Sequence, residues 1–241
     1  MSGPKVRLHV DQPLGEGQAV AVLEGAANYL FAVMRLGAGA EVLLFNGRDG
    51  EWRARVAEAN KRRGVLVCEA QTRRQDFPPD LWLLFTPVKK ERTNFIVEKA
   101  VELGVARLMP VSTRRMNAER LRLDKQQAHA IEAAEQCGAT FVPGISDLQP
   151  LDRLLAGWDP ARRIYWADEI RAGSDGTWPG VPGAPVAILI GPEGGFTPEE
   201  RAKLDSLDFV SPVALGPRIL RAETAALAAV TLWQRTFGDW A

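Results

Sequence analysis

Hydrophobic and polar positions change their period once along the chain. In the first part, short apolar runs with a two-residue alternation recur in KVRLHV, AVAVLE, EVLLFNG, EWRARVAEA and GVLVCEA, and each reads as a strand. Asn46-Gly47 and Asp49-Gly50 are turn signals for a hairpin, and NYLFAVMRL is one helical stretch among the strands. Such a unit of about 70 residues has a thin core and predicts docking against the rest of the chain. In QTRRQDFPPD, residues 71–80, charge and paired prolines break the pattern, which sets a domain boundary between 1–74 and 75–241.

Beyond the break, strands and helices alternate. LWLLFTP is a strand, and TNFIVEKAVELG a helix with Thr93 near its cap and Gly104 at its end. VARLMPVS is a strand, and RLRLDKQQAHAIEAAEQCG a longer helix. In that helix Leu123, Gln127, Ala130, Ile131 and Ala134 form the apolar stripe and Gly138 is the stop. The short helix PLDRLLAG, the strands RIYWAD and PVAILI, a helix opened by Thr197, the strand FVSPVAL and a last helix over AETAALAAVTLWQRTF complete the chain. This alternation predicts an α/β domain with a mainly parallel sheet.

Composition removes several classes. With 46% hydrophobic and 25% charged residues among 241, the chain is of ordinary globular type. The N-terminal MSGPKVRLHV has no apolar leader, and no apolar run approaches the roughly 18 residues that span a bilayer, so the expectation is a cytoplasmic protein without a membrane anchor. Cys68 and Cys137 form no metal-binding pair, and His9 and His129 are expected on surface or helix faces, so no metal is expected. Charge is balanced, 30 basic against 30 acidic residues, but unevenly spread. Residues 1–74 carry 11 Lys and Arg against 8 Asp and Glu, and residues 87–125 carry 10 against 5.

Two glycine turns carry the candidate chemistry. GPEGGFTPEE, residues 191–200, follows the run PVAILI and precedes a helix whose N-terminus has Thr197 as cap, Pro198 at the first position and two glutamates in the first turn. A tight turn requires glycine in any case, so the loop alone leaves a structural and a ligand-binding reading open. The second stretch, LGPRILRAETAALAAV at 215–230, again places a glycine turn between strand and helix, with Arg218 and Arg221 before Glu223 and Thr224. If neighbouring parallel strands carry both loops, they meet at the sheet edge where α/β folds bind ligands. No GxGxxG, phosphate-cradling GxxxxGK[ST] or GxSxG occurs, which argues against dinucleotide, P-loop nucleotide and hydrolase chemistry.

The order GPEGGFTPEE then LGPRILRAETAALAAV resembles the C-terminal part of the ribosomal RNA small subunit methyltransferase E family, knotted methyltransferases of the SPOUT superfamily. ERTNFIVEKAVELGVARLMPV and EAAEQCG resemble its first two helices, and the strand-rich first 74 residues resemble its PUA-like RNA-binding barrel. The resemblance implies a trefoil-knotted parallel-sheet domain following that barrel, a homodimer, and S-adenosyl-L-methionine as cofactor. It implies transfer of the methyl group to N3 of a uridine in 16S rRNA. The knotted loops then supply the cofactor contacts. Gly191, Pro192, Glu193, Gly194 and Gly195 form one wall, and Leu215, Gly216, Arg218, Ile219, Leu220 and Thr224 the other. Arg221 is the expected cation at the uracil oxygens, with Glu223 orienting it, taking the proton or capping the helix.

Expected RNA contacts are Arg48, Arg53, Arg55, Lys61, Arg62 and Arg63 in the barrel, and Lys89, Lys90, Arg92, Arg114 and Arg115 in the second domain. Residues 113–117 and 139–144 depart from the family pattern, which bears on how RNA docks. The alternatives are another knotted RNA methyltransferase with a different target atom, or a non-catalytic RNA-binding factor in ribosome assembly.

Overall fold

A computed structural model describes residues 6–117, 121–173 and 178–241. Parts of the expected first strand (Lys5) and second long helix (Arg120) lie outside the described residues. The chain divides into two compact units, residues 1–77 with 134–142, and residues 78–133 with 143–241.

The first unit is a curled five-stranded sheet built from β1 (Arg7–His9), β2 (Ala19–Leu23), β3 (Glu41–Phe45), β4 (Glu51–Asn60) and β5 (Arg63–Arg73), in the order β1-β3-β4-β5-β2. Only β1 and β3 pair in parallel; the others are antiparallel. The helical stretch after β2 is a single turn, α1 (Glu24–Ala27), that widens into π-helix over Asn28–Val33. Alternation sets the core: Val20, Leu30, Val42, Leu44, Ala54 and Leu66 are fully buried, while Arg53 and Arg55 flank Ala54 on the opposite face.

An ion cluster that the sequence pattern does not reveal anchors this unit. Glu51 is buried and receives Arg7 Nε at 2.8 Å, Arg73 Nη2 at 2.7 Å and Thr72 Oγ1 at 2.8 Å. Burial pushes its carboxyl up, but the hydrogen bonds from Arg73, Thr72 and Arg7 outweigh that and hold it below the usual carboxylate range. The Arg7 guanidinium also donates to the carbonyls of Ala134, Glu135 and Ala139, neutralising a helix C-terminus. Thr140 is buried beside Asp76. Residues 139 and 140, in one of the departing segments, are thus occupied in internal packing.

The second unit is a parallel sheet with helices. Its strands are β6 (Leu81–Phe85), β7 (Arg107–Ser112), β8 (Gly144–Ile145), β9 (Gln149–Pro150), β10 (Arg163–Ala167), β11 (Val186–Ile190) and β12 (Val210–Val213). They run in the order β12-β10-β11-β6-β7-β8, with β9 also on β7, all parallel. β11 lies inside the sheet and all five of its residues are buried, which accounts for an unbroken VAILI run where the barrel strands alternate.

The helices are α2 (Lys90–Glu102), α3 (Leu123–Cys137), α4 (Leu151–Ala156), α5 (Pro198–Asp205) and α6 (Ala222–Phe237). α2 begins one turn before the expected cap: Lys89 is the N-cap, and Thr93, inside the helix, instead exchanges hydrogen bonds with the Val88 backbone at 3.0 Å. The buried face of α3 is Gln126, Ala130, Ala133 and Ala134, rotated from the expected stripe. Gly138, at φ +83°, ends it. α5 opens on a capping box, with Thr197 Oγ1 accepting from the Glu200 amide and Glu200 Oε2 accepting from the Thr197 amide at 2.9 Å. Buried Gln234 of α6 donates to the Leu103 carbonyl at 2.6 Å, tying α6 to the C-terminus of α2.

Candidate active site

Because β12, β10 and β11 are adjacent and parallel, the loops that follow them all leave the sheet at one edge. Between these loops lies a cavity of about 420 Å³. That is within the range of roughly 300–1,000 Å³ common for cofactor sites. Gly191, Pro192, Glu193, Gly194 and Gly195 line it from the loop after β11, and Leu215, Gly216, Arg218, Ile219, Leu220 and Arg221 from the loop after β12. The third wall, after β10, contains Ala167, Asp168, Glu169 and Ala172. The sequence pattern ends a strand at Asp168 and gives no sign of this wall beyond an Asp-Glu pair at a third strand end.

The glycines have separable roles. Gly195 is at φ +69°, where a side chain is strained, and a Cβ there would overlap the Glu169 carboxylate. At Gly191 a Cβ would lie 2.5 Å from the buried Phe196 ring, which packs edge-on against Trp166 with centroids 5.6 Å apart. At Gly194 the nearest neighbour is Arg115 Cβ at 3.5 Å, an ordinary contact. The fold therefore requires glycine at positions 191 and 195, whereas at position 194 neither the surrounding space nor the backbone angle does.

Charged side chains fix the loops. Arg201 of α5 pairs with both Asp168 and Glu169. Arg115 Nη1 donates to the Gly194 carbonyl at 2.9 Å, and the Arg114 amide donates to Glu200 Oε1 at 2.8 Å. Arg92 pairs with Glu193 and approaches Glu223 Oε1 with Nε at 3.5 Å. Arg92 and Arg115, expected to meet RNA phosphates, are thus engaged in holding the glycine loop.

Two expected residues stand apart from the cavity wall. Thr224 is exposed on the first turn of α6 and does not line it. Glu223 also lies off the wall; it approaches Arg92 rather than Arg221, and its buried Oε2 has no partner among the described residues. Nor is it the cap of α6, since the N-cap residue is Arg221, which is exposed and faces the cavity.

The barrel cations differ among themselves. Arg55 donates to Glu69 at 2.6 Å and to Glu41 at 3.2 Å, and Arg53 lies 3.6 Å from Glu69. Their charge is largely matched on the sheet face. Arg48 donates to the Asp11 carbonyl at 2.8 Å. Lys61, Arg62 and Arg63, at the β4–β5 turn, are exposed and have no ion-pair partner among the described residues.

A three-loop cavity at the edge of a parallel sheet is a ligand site of the kind α/β folds carry, and the comparisons with known proteins say which class it belongs to. The model of the RNA methyltransferase domain matches residues 75–234, and that of the RNA methyltransferase PUA domain residues 24–67. The chain belongs to this RNA methyltransferase family, in the branch of ribosomal RNA small subunit methyltransferase E. It is 26% identical to that enzyme of Rickettsia conorii over 93% of both chains, and 25% identical to that of Bacillus subtilis over 91% of both. The crystal structure of ribosomal RNA small subunit methyltransferase E from Neisseria gonorrhoeae bound to S-adenosyl methionine superposes with a TM-score of 0.87 at 28% identity, covering 98% of this chain and 99% of that one. The fold and the family read from the C-terminal motifs are borne out.

Proposed function

We infer that the protein methylates N3 of a uridine in the 16S rRNA of the small ribosomal subunit, using S-adenosyl-L-methionine. The observation that supports this best is the cavity itself. Glycine backbone forms one wall, Ile190, Leu215, Ile219 and Leu220 offer apolar surface for an adenine, and Asp168, Glu169 and Glu193 supply negative charge suited to a cationic ligand. When bound, the cofactor would supply an electrophilic methyl group on a positively charged sulfur, with a neutral thioether as the leaving group.

The chain's own task is to prepare the uracil. N3 carries a proton and its lone pair is delocalised into the flanking carbonyls, so it attacks only as that proton departs and negative charge grows on O2 and O4. Arg221, at the mouth of the cavity, is the cation assigned to that charge. Losing one such donor costs about 10²–10³ in rate. Glu223, off the cavity wall and beside Arg92, is assigned a positioning role through Arg92, which holds Glu193 on the wall, rather than the proton transfer itself.

Exposed Lys61, Arg62 and Arg63 are the barrel's contribution to RNA docking, in place of the internally paired Arg53 and Arg55. Exposed Phe95 of α2, Leu232 of α6 and Trp240 give the second unit apolar surface of the kind a homodimer covers. A substrate in the small ribosomal subunit supports a cytoplasmic enzyme. Among the described residues no helix is long and apolar enough to cross a membrane.

The test is to incubate the protein with methyl-labelled S-adenosylmethionine and small subunits lacking the modification, then digest the RNA. Label in 3-methyluridine is the expected result; label in another nucleoside overturns the target. Absence of label on subunits that a known enzyme modifies overturns the catalytic reading.

A further inference from the structure

A second cavity, of about 470 Å³, lies where the N-terminal ends of α2 and α3 come together. Its chemistry differs from that of the first. Lys89, Lys90 and Lys125 line it, are exposed, and have no ion-pair partner among the described residues. Deeper are side chains that can read a base: Asn94, Gln126 and His129. No carboxylate lines it among the described residues.

Gln126 is the observation that points to a ligand. It is 4% exposed, its Nε2 donates to Asn94 Oδ1 at 2.8 Å, and its Oε1 has no partner among the described residues. Leaving a buried amide oxygen unpaired costs free energy that a ligand donor would recover. A carboxamide pair offers both donors and acceptors to a base edge, and lysines at the mouth suit a phosphodiester.

The second cavity is linked to the first through Arg92 of α2. Lys89 and Lys90 are within a turn of Arg92, whose guanidinium holds Glu193 on the wall of the first cavity. A nucleotide seated here would be tethered close to the base presented for methylation. We propose that this cavity is a nucleotide subsite, holding an unpaired RNA nucleotide that flanks the target, with its phosphate on Lys89, Lys90 and Lys125 and its base on Asn94 and Gln126. The assignment rests on the reading of the protein as an RNA methyltransferase.

The full chain is titrated with a fluorescent single-stranded oligoribonucleotide and, separately, with uridine 5′-monophosphate. Gln126→Leu removes the amide, and Lys89→Ala/Lys90→Ala removes exposed charge without touching the core. Gln126→Leu is expected to weaken oligonucleotide binding about three- to tenfold. The double lysine variant is expected to lower the log–log salt slope by about 0.7 for each phosphate it no longer neutralises. Calorimetric affinity for S-adenosylmethionine should be unchanged in both, and that measurement also separates failure of the subsite from failure of the methyltransferase reading. Oligonucleotide binding that both variants leave intact overturns the proposal. Uridine monophosphate binding as tightly as the oligonucleotide also overturns it, because the occupant would then be a free nucleotide.

Discussion

Alanine at each of three neighbouring glycines separates what the fold needs from what the ligand needs. Gly195→Ala places an L residue at φ +69°. That costs about 1–2 kcal/mol for the left-handed backbone. It also drives Glu169 off Arg201, so the penalty exceeds the backbone contribution. Gly191→Ala forces a methyl to 2.5 Å from the Phe196 ring, which is 2% exposed and locked against Trp166. Overpacking of this kind costs about 1–3 kcal/mol. Gly194→Ala meets only Arg115 Cβ at 3.5 Å and needs no unusual backbone angle, so its cost is near zero. In a chain of this size each kcal/mol lowers Tm by roughly 2–4 °C. Thermal unfolding should therefore show clear losses at Gly191 and Gly195 and almost none at Gly194. Calorimetric titration with S-adenosylmethionine should show the converse at Gly194, with the bulkier Gly194→Val losing about tenfold or more in affinity, equivalent to ~1.4 kcal/mol. The reasoning is refuted if Gly194→Ala melts as low as Gly195→Ala, or if Gly194→Val binds the cofactor like the parent.

Arg221→Ala should lower kcat by about 10²–10³ while cofactor affinity holds; equal losses in both would move Arg221 from transition-state stabilisation to cofactor binding. Arg92→Ala frees Glu193 and Glu223 together, so KM for the cofactor should rise and kcat fall, whereas a residue that only touches RNA would change neither cofactor affinity nor the intrinsic fluorescence response to cofactor. Glu51→Gln should destabilise the first unit by about 2–3 kcal/mol in chemical denaturation, less than the ~3–5 of a fully buried pair because Arg73 is half exposed. Since the Glu51 carboxyl titrates below its unfolded value, its contribution is present above about pH 4.3 and is lost as pH falls through the folded value; Glu51→Gln should flatten that acid limb, and an unchanged limb would contradict it. Leu232→Glu should shift sedimentation from dimer toward monomer, and a parent that is already monomeric would remove the homodimer reading.

Much of this protein was determined by local pattern. The unbroken VAILI run dictates a strand buried on both faces, and the alternation around Ala54 and Val56 dictates one face of a half-exposed sheet. Thr197, Pro198 and Glu200 write the start of α5 in four residues, and the two glycine turns were legible as turns because strand-turn-helix order is a local property, whereas their reading as a cofactor site came from the family resemblance. What the sequence could not decide is which side chains face one another across the fold. Arg92 is separated from Glu193 by 101 residues, and Arg7 from the end of α3 by more than 120. Nothing local distinguishes those arginines from Lys61 or Arg62, which remain exposed. The partners of a charge are set by which strands are neighbours, and the order β12-β10-β11 brings Asp168 and Glu169 to the cavity although no motif marks them. Periodicity fixes which face of an element is buried; only the assembled sheet fixes what that face and its loops meet.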